Sequence, residues 1–131
     1  MNSPHTHDRL KGFFSPRNIA VIGASENNLW FGNMLENARR SNFKGTIYPV
    51  NPRADTVWGI KACRKIDDLP LNTIDLAVII LKSSFVLDAI KKLSSAGIKN
   101  IVLVSSGYAE IGGKGTQMQE QLLNYCREND I

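Results

Sequence analysis

The chain has 131 residues, 43% of them hydrophobic, enough for one domain with a packed core and too few for two ordinary ones. Sixteen Lys+Arg against 12 Asp+Glu leave a net charge of +4, which suits an anionic small molecule and is too mild and scattered to indicate nucleic acid. The longest uninterrupted apolar run, Leu76 to Leu81, is too short to span a membrane, and the polar start lacks the apolar core of a secretion signal.

Residues 1–12 read as a polar, mobile tail ahead of one domain over residues 13–131. His5 and His7 form an HxH pair with only Asp8 beside them, so a tail is the better reading than a metal site. The chain has no other histidine. Chemistry that needs an imidazole would therefore have to import it from elsewhere. "NIAVIG", from Asn18, is a short branched run ended by glycine, as expected of a buried strand. Gly23 then opens a turn whose next glycine is Gly32, and the intervening length is expected to give room for a bulky ligand. Trp30 and Phe31 in that stretch serve equally well as a ligand cover or as a plug on the core.

A helix follows over Asn33–Asn42, with Met34, Leu35 and Ala38 on one face. "TIYPVNP", Thr46 to Pro52, is a second strand; Pro49 lacks an N–H, which places it on a sheet edge or at a bulge. "IDLAVIIL", Ile74 to Leu81, is apolar on both faces, as a covered parallel strand should be. The next helix, Ser84 to Ala96, carries Val86, Ala89, Ile90 and Leu93 on one stripe and ends at Gly97. "NIVLVSS", Asn100 to Ser106, is the fourth strand. Gly115 to Asn129 is a further helix with Met118, Leu122 and Tyr125 inward. Cys63 and Cys126 match no CxxC or zinc spacing, which points to reduced, semi-buried thiols in a cytoplasmic chain rather than to acyl carriers.

Strands alternating with helices at this spacing predict an α/β fold: a Rossmann-like, doubly wound parallel sheet in three αβα layers. The expected spatial order is third, second, first, fourth strand, with a fifth, absent from the chain, wanted beside the fourth. An uncovered fourth strand is a liability, so the chain is expected to be the N-terminal part of a longer protein or to borrow a neighbour.

Ligands in such sheets bind beyond the carboxyl ends of the strands. The loops there are Gly23 to Gly32, Asn51 to Arg53, Leu81 to Ser84 and Ser105 to Glu110. Gly23 and the amides after it can face an anion, although a lone turn of this kind is as often a packing device. The second strand discriminates more sharply. An NAD site needs a carboxylate at its end, whereas "PVNPRAD" offers Asn51, Pro52 and Arg53, with Asp55 too late. Arg53 suits an esterified ribose phosphate, so coenzyme A and NADP both fit and NAD is disfavoured. Glu110, at a loop-to-helix transition, is read as an acceptor of backbone N–H bonds in preference to an acid or base.

"FFSPRNIAVIGAS", "FKGTIYPVNPRADTVWGIKACRKIDDLP" and "IDLAVIILKSSFVLDAIKKLSSAGIKNIVLVSSGYAEIGGKG" together resemble, in order, the CoA-binding domain of NDP-forming acyl-CoA synthetases. This is the succinyl-CoA synthetase superfamily, and the nearer likeness is to ADP-forming acetyl-CoA synthetases. The resemblance runs from about Leu10 to Ile131. It implies that Gly23, Ala24 and Ser25 hold the CoA phosphates and that Arg53, with Asn51 and Pro52, meets the adenosine-end phosphate. It implies that Ile80, Leu81 and Lys82 lie along adenine or pantetheine, and that Ser106 and Gly107 line the thiol side. Relatives usually carry proline where this chain has Lys82. The resemblance further implies that ATP, ADP and Mg, the phosphorylated histidine and an ATP-grasp domain belong to downstream or partner domains, leaving no catalytic residue here. The ligand would be a CoA thioester, and neither nucleic acid nor a membrane is an expected partner. Two other readings are a CoA-sensing regulatory module, as when such a domain is fused to an acetyltransferase, and an NADP-binding redox domain.

Overall fold

Short β-branched runs separated by amphipathic stretches dictate alternating strands and helices, and the computed structural model, which describes residues 4–131, has them. In chain order they are α1 (Pro4–Phe14), β1 (Asn18–Ile22), α2 (Leu29–Arg40) and β2 (Thr46–Val50). A small antiparallel hairpin follows, β3 (Thr56–Val57) and β4 (Ile60–Lys61), then two single 3₁₀ turns at Ile66–Asp68 and Leu71–Thr73. The last elements are β5 (Leu76–Ile79), α3 (Ser83–Ser95), β6 (Ile101–Leu103), a 3₁₀ turn at Ala109–Ile111 and α4 (Gly113–Glu128).

The main sheet is fully parallel in the order β2-β1-β5-β6. This corrects the expected order: the third main strand pairs with the first, Ile19 opposite Leu76 and Ile22 opposite Ile79. The outer edge of β2 is closed to a further strand. Cys63 donates its N–H to the Pro49 carbonyl and accepts from the Asn51 N–H, both at 2.9 Å. The chain therefore crosses back over β1, and the two strands buried at nearly every position, β1 and β5, take the centre. Pro49 sits on an edge strand, as its missing N–H requires.

Side chains alternate between two cores, as strand geometry demands. Ala20, Ile22, Ala77 and Ile79 face α3 and α4, meeting Val86, Ala89, Ile90, Leu93 and Leu122. Ile19, Val21, Leu76 and Val78 face the opposite way, against Phe31 of α2, Val57 of the hairpin and Ala62 just after it. The result is the expected three-layer sandwich. Its central helix, α3, ends with Gly97 at φ 84°, whose N–H returns to the Ser94 carbonyl.

The segment expected as a mobile tail is instead helical from Pro4. On α1, Phe13 joins the α2-side core, and the Arg9 backbone carbonyl accepts from Asn100 Nδ2 at 3.2 Å. His5 and His7 therefore lie on a helix, with His7 exposed. On the far side of the sheet, β6 forms the other edge. A groove of about 610 Å³ runs along it between α1 and α4, with Leu10, Phe14 and Leu123 exposed at its rim. Among the described residues, no helix is long and apolar enough to cross a membrane.

Candidate functional site

Where β1 ends, Gly23 turns the chain with φ 88°. A Cβ at this position would lie 2.2 Å from the Ile80 carbonyl oxygen and 2.7 Å from a Leu81 methyl. Only glycine lets the ends of β1 and β5 come this close. Ala24 is fully buried beneath the turn. The Ser25 carbonyl accepts from the Asn28 N–H, and Asn28 Oδ1 in turn accepts from the Phe31 N–H at 3.2 Å, capping α2. This cap starts α2 at Leu29, four residues ahead of the sequence expectation. The loop is thus short, and Gly32 lies within α2, where a Cβ would sit 3.2 Å from the Trp58 ring. The added room expected from the Gly23–Gly32 spacing is not there, because a helix fills it.

The second loop is held from within. Asn51 Oδ1 accepts from the N–H groups of Arg53 and Ala54, at 2.8 and 3.0 Å, and Asn51 Nδ2 donates to the Ala24 carbonyl at 2.9 Å. Arg64 bridges to the Asp55 carboxylate and also donates to the Pro52 carbonyl. The one nearby carboxylate of this loop is therefore neutralised, while Arg53 stands exposed. Glu26, in the first loop, accepts from the Trp58 N–H at 3.1 Å and ties the hairpin to that loop.

The third and fourth loops close together. The Ser105 hydroxyl donates to the Leu81 carbonyl at 2.6 Å. Gly107, with φ 95°, approaches so near that a Cβ would be 2.7 Å from Ser83 Oγ. Between the strand ends lies a cleft of about 560 Å³, lined by Asn28, Ile80, Leu81, Lys82, Ser83, Ser84, Val104, Ser105 and Ser106. Ile80, Leu81, Lys82 and Ser106 of the sequence-expected set line it directly. Gly107 walls it from behind Ser83. Gly23 packs beside Ile80 and Leu81 at its edge, and the Asn51–Ala24 bond ties the Gly23–Ser25 turn to the Asn51–Pro52–Arg53 turn; none of these residues is part of the cleft lining itself. Asn28, Ser83, Ser84, Val104 and Ser105 lie outside that set. Asn28 had a signal, a side-chain cap two residues before an aromatic pair. Ser83 and Ser84 open a helix at a strand end, a place that ligands favour.

A family profile described as CoA binding domain matches residues 17–131. The chain belongs to this CoA-binding domain family. It is 35% identical over 128 residues to an ADP-forming acetate–CoA ligase II of Archaeoglobus fulgidus, covering 97% of the chain and 19% of that protein. It is 33% identical over 117 residues to an ADP-forming 4-hydroxybutyrate–CoA ligase of Nitrosopumilus maritimus, covering 89% of the chain and 17% of that protein. Among solved structures, the apo form of a dinucleotide forming acetyl-coenzyme A synthetase 1 from Ca. Korarchaeum cryptofilum superposes with TM-score 0.79 at 36% identity. That likeness covers 92% of the chain and 26% of the other. The CoA-binding domain described here thus spans about a fifth of the length of the curated relatives it matches.

Within the CoA-binding domain, Glu110 does what its position at a helix start suggests. Its carboxylate accepts from the Gly107 and Tyr108 N–H groups. The Gly107 N–H above all, then the residue's own amide and that of Tyr108, hold its carboxyl below the ordinary 4.5. A lowered carboxyl supports the folded loop above the unfolded value, and that support is lost as pH falls from 4.5 through the folded value. In the wild type, the Gly107 and Tyr108 amide resonances should titrate with a midpoint below 4.5, and Glu110→Gln should abolish the transition. A midpoint at or above 4.5 would show that the latch is not formed in solution.

Burial raises the Cys63 thiol, helped by the Asp68 charge, and burial alone raises Cys126. Both are half-buried neutral thiols, in keeping with small hydrophobes and not with nucleophiles.

Proposed function

We propose that the domain binds coenzyme A or its thioesters across the carboxyl ends of β1, β2, β5 and β6 and supplies this site to an NDP-forming acid–CoA ligase. The observation that carries the reading is the end of β2. A carboxylate would be needed there for an unphosphorylated ribose; instead Arg53 is exposed, and Asp55 is spent on Arg64. Gly23, Ala24 and Ser25 present backbone to the pyrophosphate, and Arg53 meets the 3′-phosphate. Ile80, Leu81 and Lys82 lie along adenine or pantetheine, with Ser106 and Gly107 on the thiol side. The complete reaction joins an acid, CoA and ATP to give acyl-CoA, ADP and phosphate, or runs in reverse. ATP, Mg and the phosphorylated histidine act from further domains, so this chain alone should bind ligand without ligase turnover.

Calorimetric titration with CoA, 3′-dephospho-CoA and NADP tests this. CoA should bind more tightly than dephospho-CoA by about 1–3 kcal/mol, the range for a charge-assisted contact in a partly exposed site. Equal affinities would remove Arg53 from the site. A preference for NADP over CoA would overturn the ligand class itself.

A further inference from the structure

A neutral asparagine at the end of β2 looks at first like one more ligand contact, yet all but one of its side-chain hydrogen-bonding positions are already taken up by the protein. An asparagine side chain has one carbonyl oxygen with two lone pairs and two N–H donors. In Asn51 both lone pairs are used, by the N–H groups of Arg53 and Ala54, and one donor is used by the Ala24 carbonyl. The residue's own N–H is held by the Cys63 carbonyl at 2.9 Å, which anchors it to the closed edge of β2. Ala24 is fully buried, so its end of the link is fixed in the core.

This side chain is a direct bridge between the Gly23–Ser25 turn and the Arg53 turn. In the reading above, on which this inference rests, those turns meet two different phosphate groups of one ligand. The groups lie a set distance apart in the ligand, so their counterparts must be held at a matching distance. Arg53 has a long, exposed side chain, and among the described residues its guanidinium takes part in no ion pair, unlike that of Arg64. The capped turn fixes where that side chain starts, and a pre-set start leaves less freedom to be lost on binding.

We propose that Asn51 is a positioning residue: it sets the spacing between the Gly23–Ser25 turn and Arg53 and so governs preference for a ligand that carries the additional ribose phosphate. It acts through both loops and need not touch the ligand.

The experiment compares dissociation constants for CoA and 3′-dephospho-CoA in wild type, Asn51→Ala, Arg53→Ala, the double variant and Asn51→Ser, each checked for folding by thermal melting. The wild type should prefer CoA by about fivefold or more, as expected for a charge-assisted contact. Asn51→Ala should reduce that ratio to the level of Arg53→Ala, and the double variant should reduce it no further. A destabilised but otherwise intact site would weaken both ligands alike and leave the ratio unchanged, so an unchanged ratio in Asn51→Ala overturns the inference. A wild-type ratio near one marks a different failure, that of the Arg53 contact in the parent reading. If Asn51→Ala does not fold, Asn51→Ser decides. Its hydroxyl can accept from the amide two residues on but holds the turn more weakly. The ratio should then fall by about threefold, and a wild-type ratio would overturn the inference.

Discussion

Replacing Gly23 with alanine is expected to destabilise the domain by about 2–5 kcal/mol, combining left-handed backbone strain of roughly 1–2 with overpacking of roughly 1–3. The two parts can be separated inside this one chain. Gly97 has nearly the same φ, 84° against 88°, but a Cβ there would meet nothing within 4 Å. Gly97→Ala should therefore show the left-handed strain alone, about 1–2 kcal/mol. At Gly23 the added carbon meets the Ile80 carbonyl, a backbone atom that cannot rotate away. Relief requires the ends of β1 and β5 to part, and those ends flank the cleft. CoA affinity should accordingly fall in the Gly23 variant and hold in the Gly97 variant. Denaturant unfolding of both, beside a CoA titration, gives the comparison. Equal losses of stability would mean that the close approach of the two strand ends contributes nothing.

That contrast also shows which parts of the molecule were legible from residues alone. A β-branched run ended by glycine announces a strand and a tight turn, and β1 with Gly23 follows it. So do β5, the apolar stripe of α3 with its closing Gly97, and the edge position forced on Pro49. Each is a local property, fixed by side-chain period or by φ. Strand order is not local. It turned on Cys63, a residue with no strand pattern around it, closing the outer side of β2 through two backbone bonds. The burial requirement of β5 carried the information in principle, since a strand apolar on both faces belongs at the centre. The helix expected from Asn33 starts instead at Leu29, because Asn28 caps it and a run of bulky residues can belong to a loop or a helix equally well. Helix α1 was missed because a short polar stretch has little intrinsic helicity, and tertiary packing of Phe13 supplies the reason for it to form. At the site, residue types pointed to Arg53 and the absence of a suitable carboxylate. The bridge from Asn51 to Ala24 joins positions 27 apart, and no spacing rule predicts it.

The shifted start of α2 sends its two adjacent aromatics in opposite directions. One turn after the Asn28 cap, Phe31 points into the core with no exposure, packed in the cluster with Val21, Val57 and Ala62. Trp30, beside it in sequence, is 63% exposed. Neighbours on a helix diverge by about 100°, so the phase imposed by the cap can bury one only by presenting the other. Phe31→Ala should cost about 3–5 kcal/mol, since it removes a large ring and leaves a cavity between α2 and the sheet. Trp30→Ala should change stability by no more than about 0.5 kcal/mol, as for a surface position with no special contacts. Thermal unfolding of the two variants reads the difference, and a Trp30 loss comparable with that of Phe31 would show that the helix phase is wrong. The same pair of variants also tests for a ligand contact. Asn28, two residues earlier, lines the cleft, and Trp30 is free of any core duty. A fall in CoA affinity for Trp30→Ala at unchanged stability would thus report the indole meeting the ligand, whereas a fall for Phe31→Ala would report only a displaced helix.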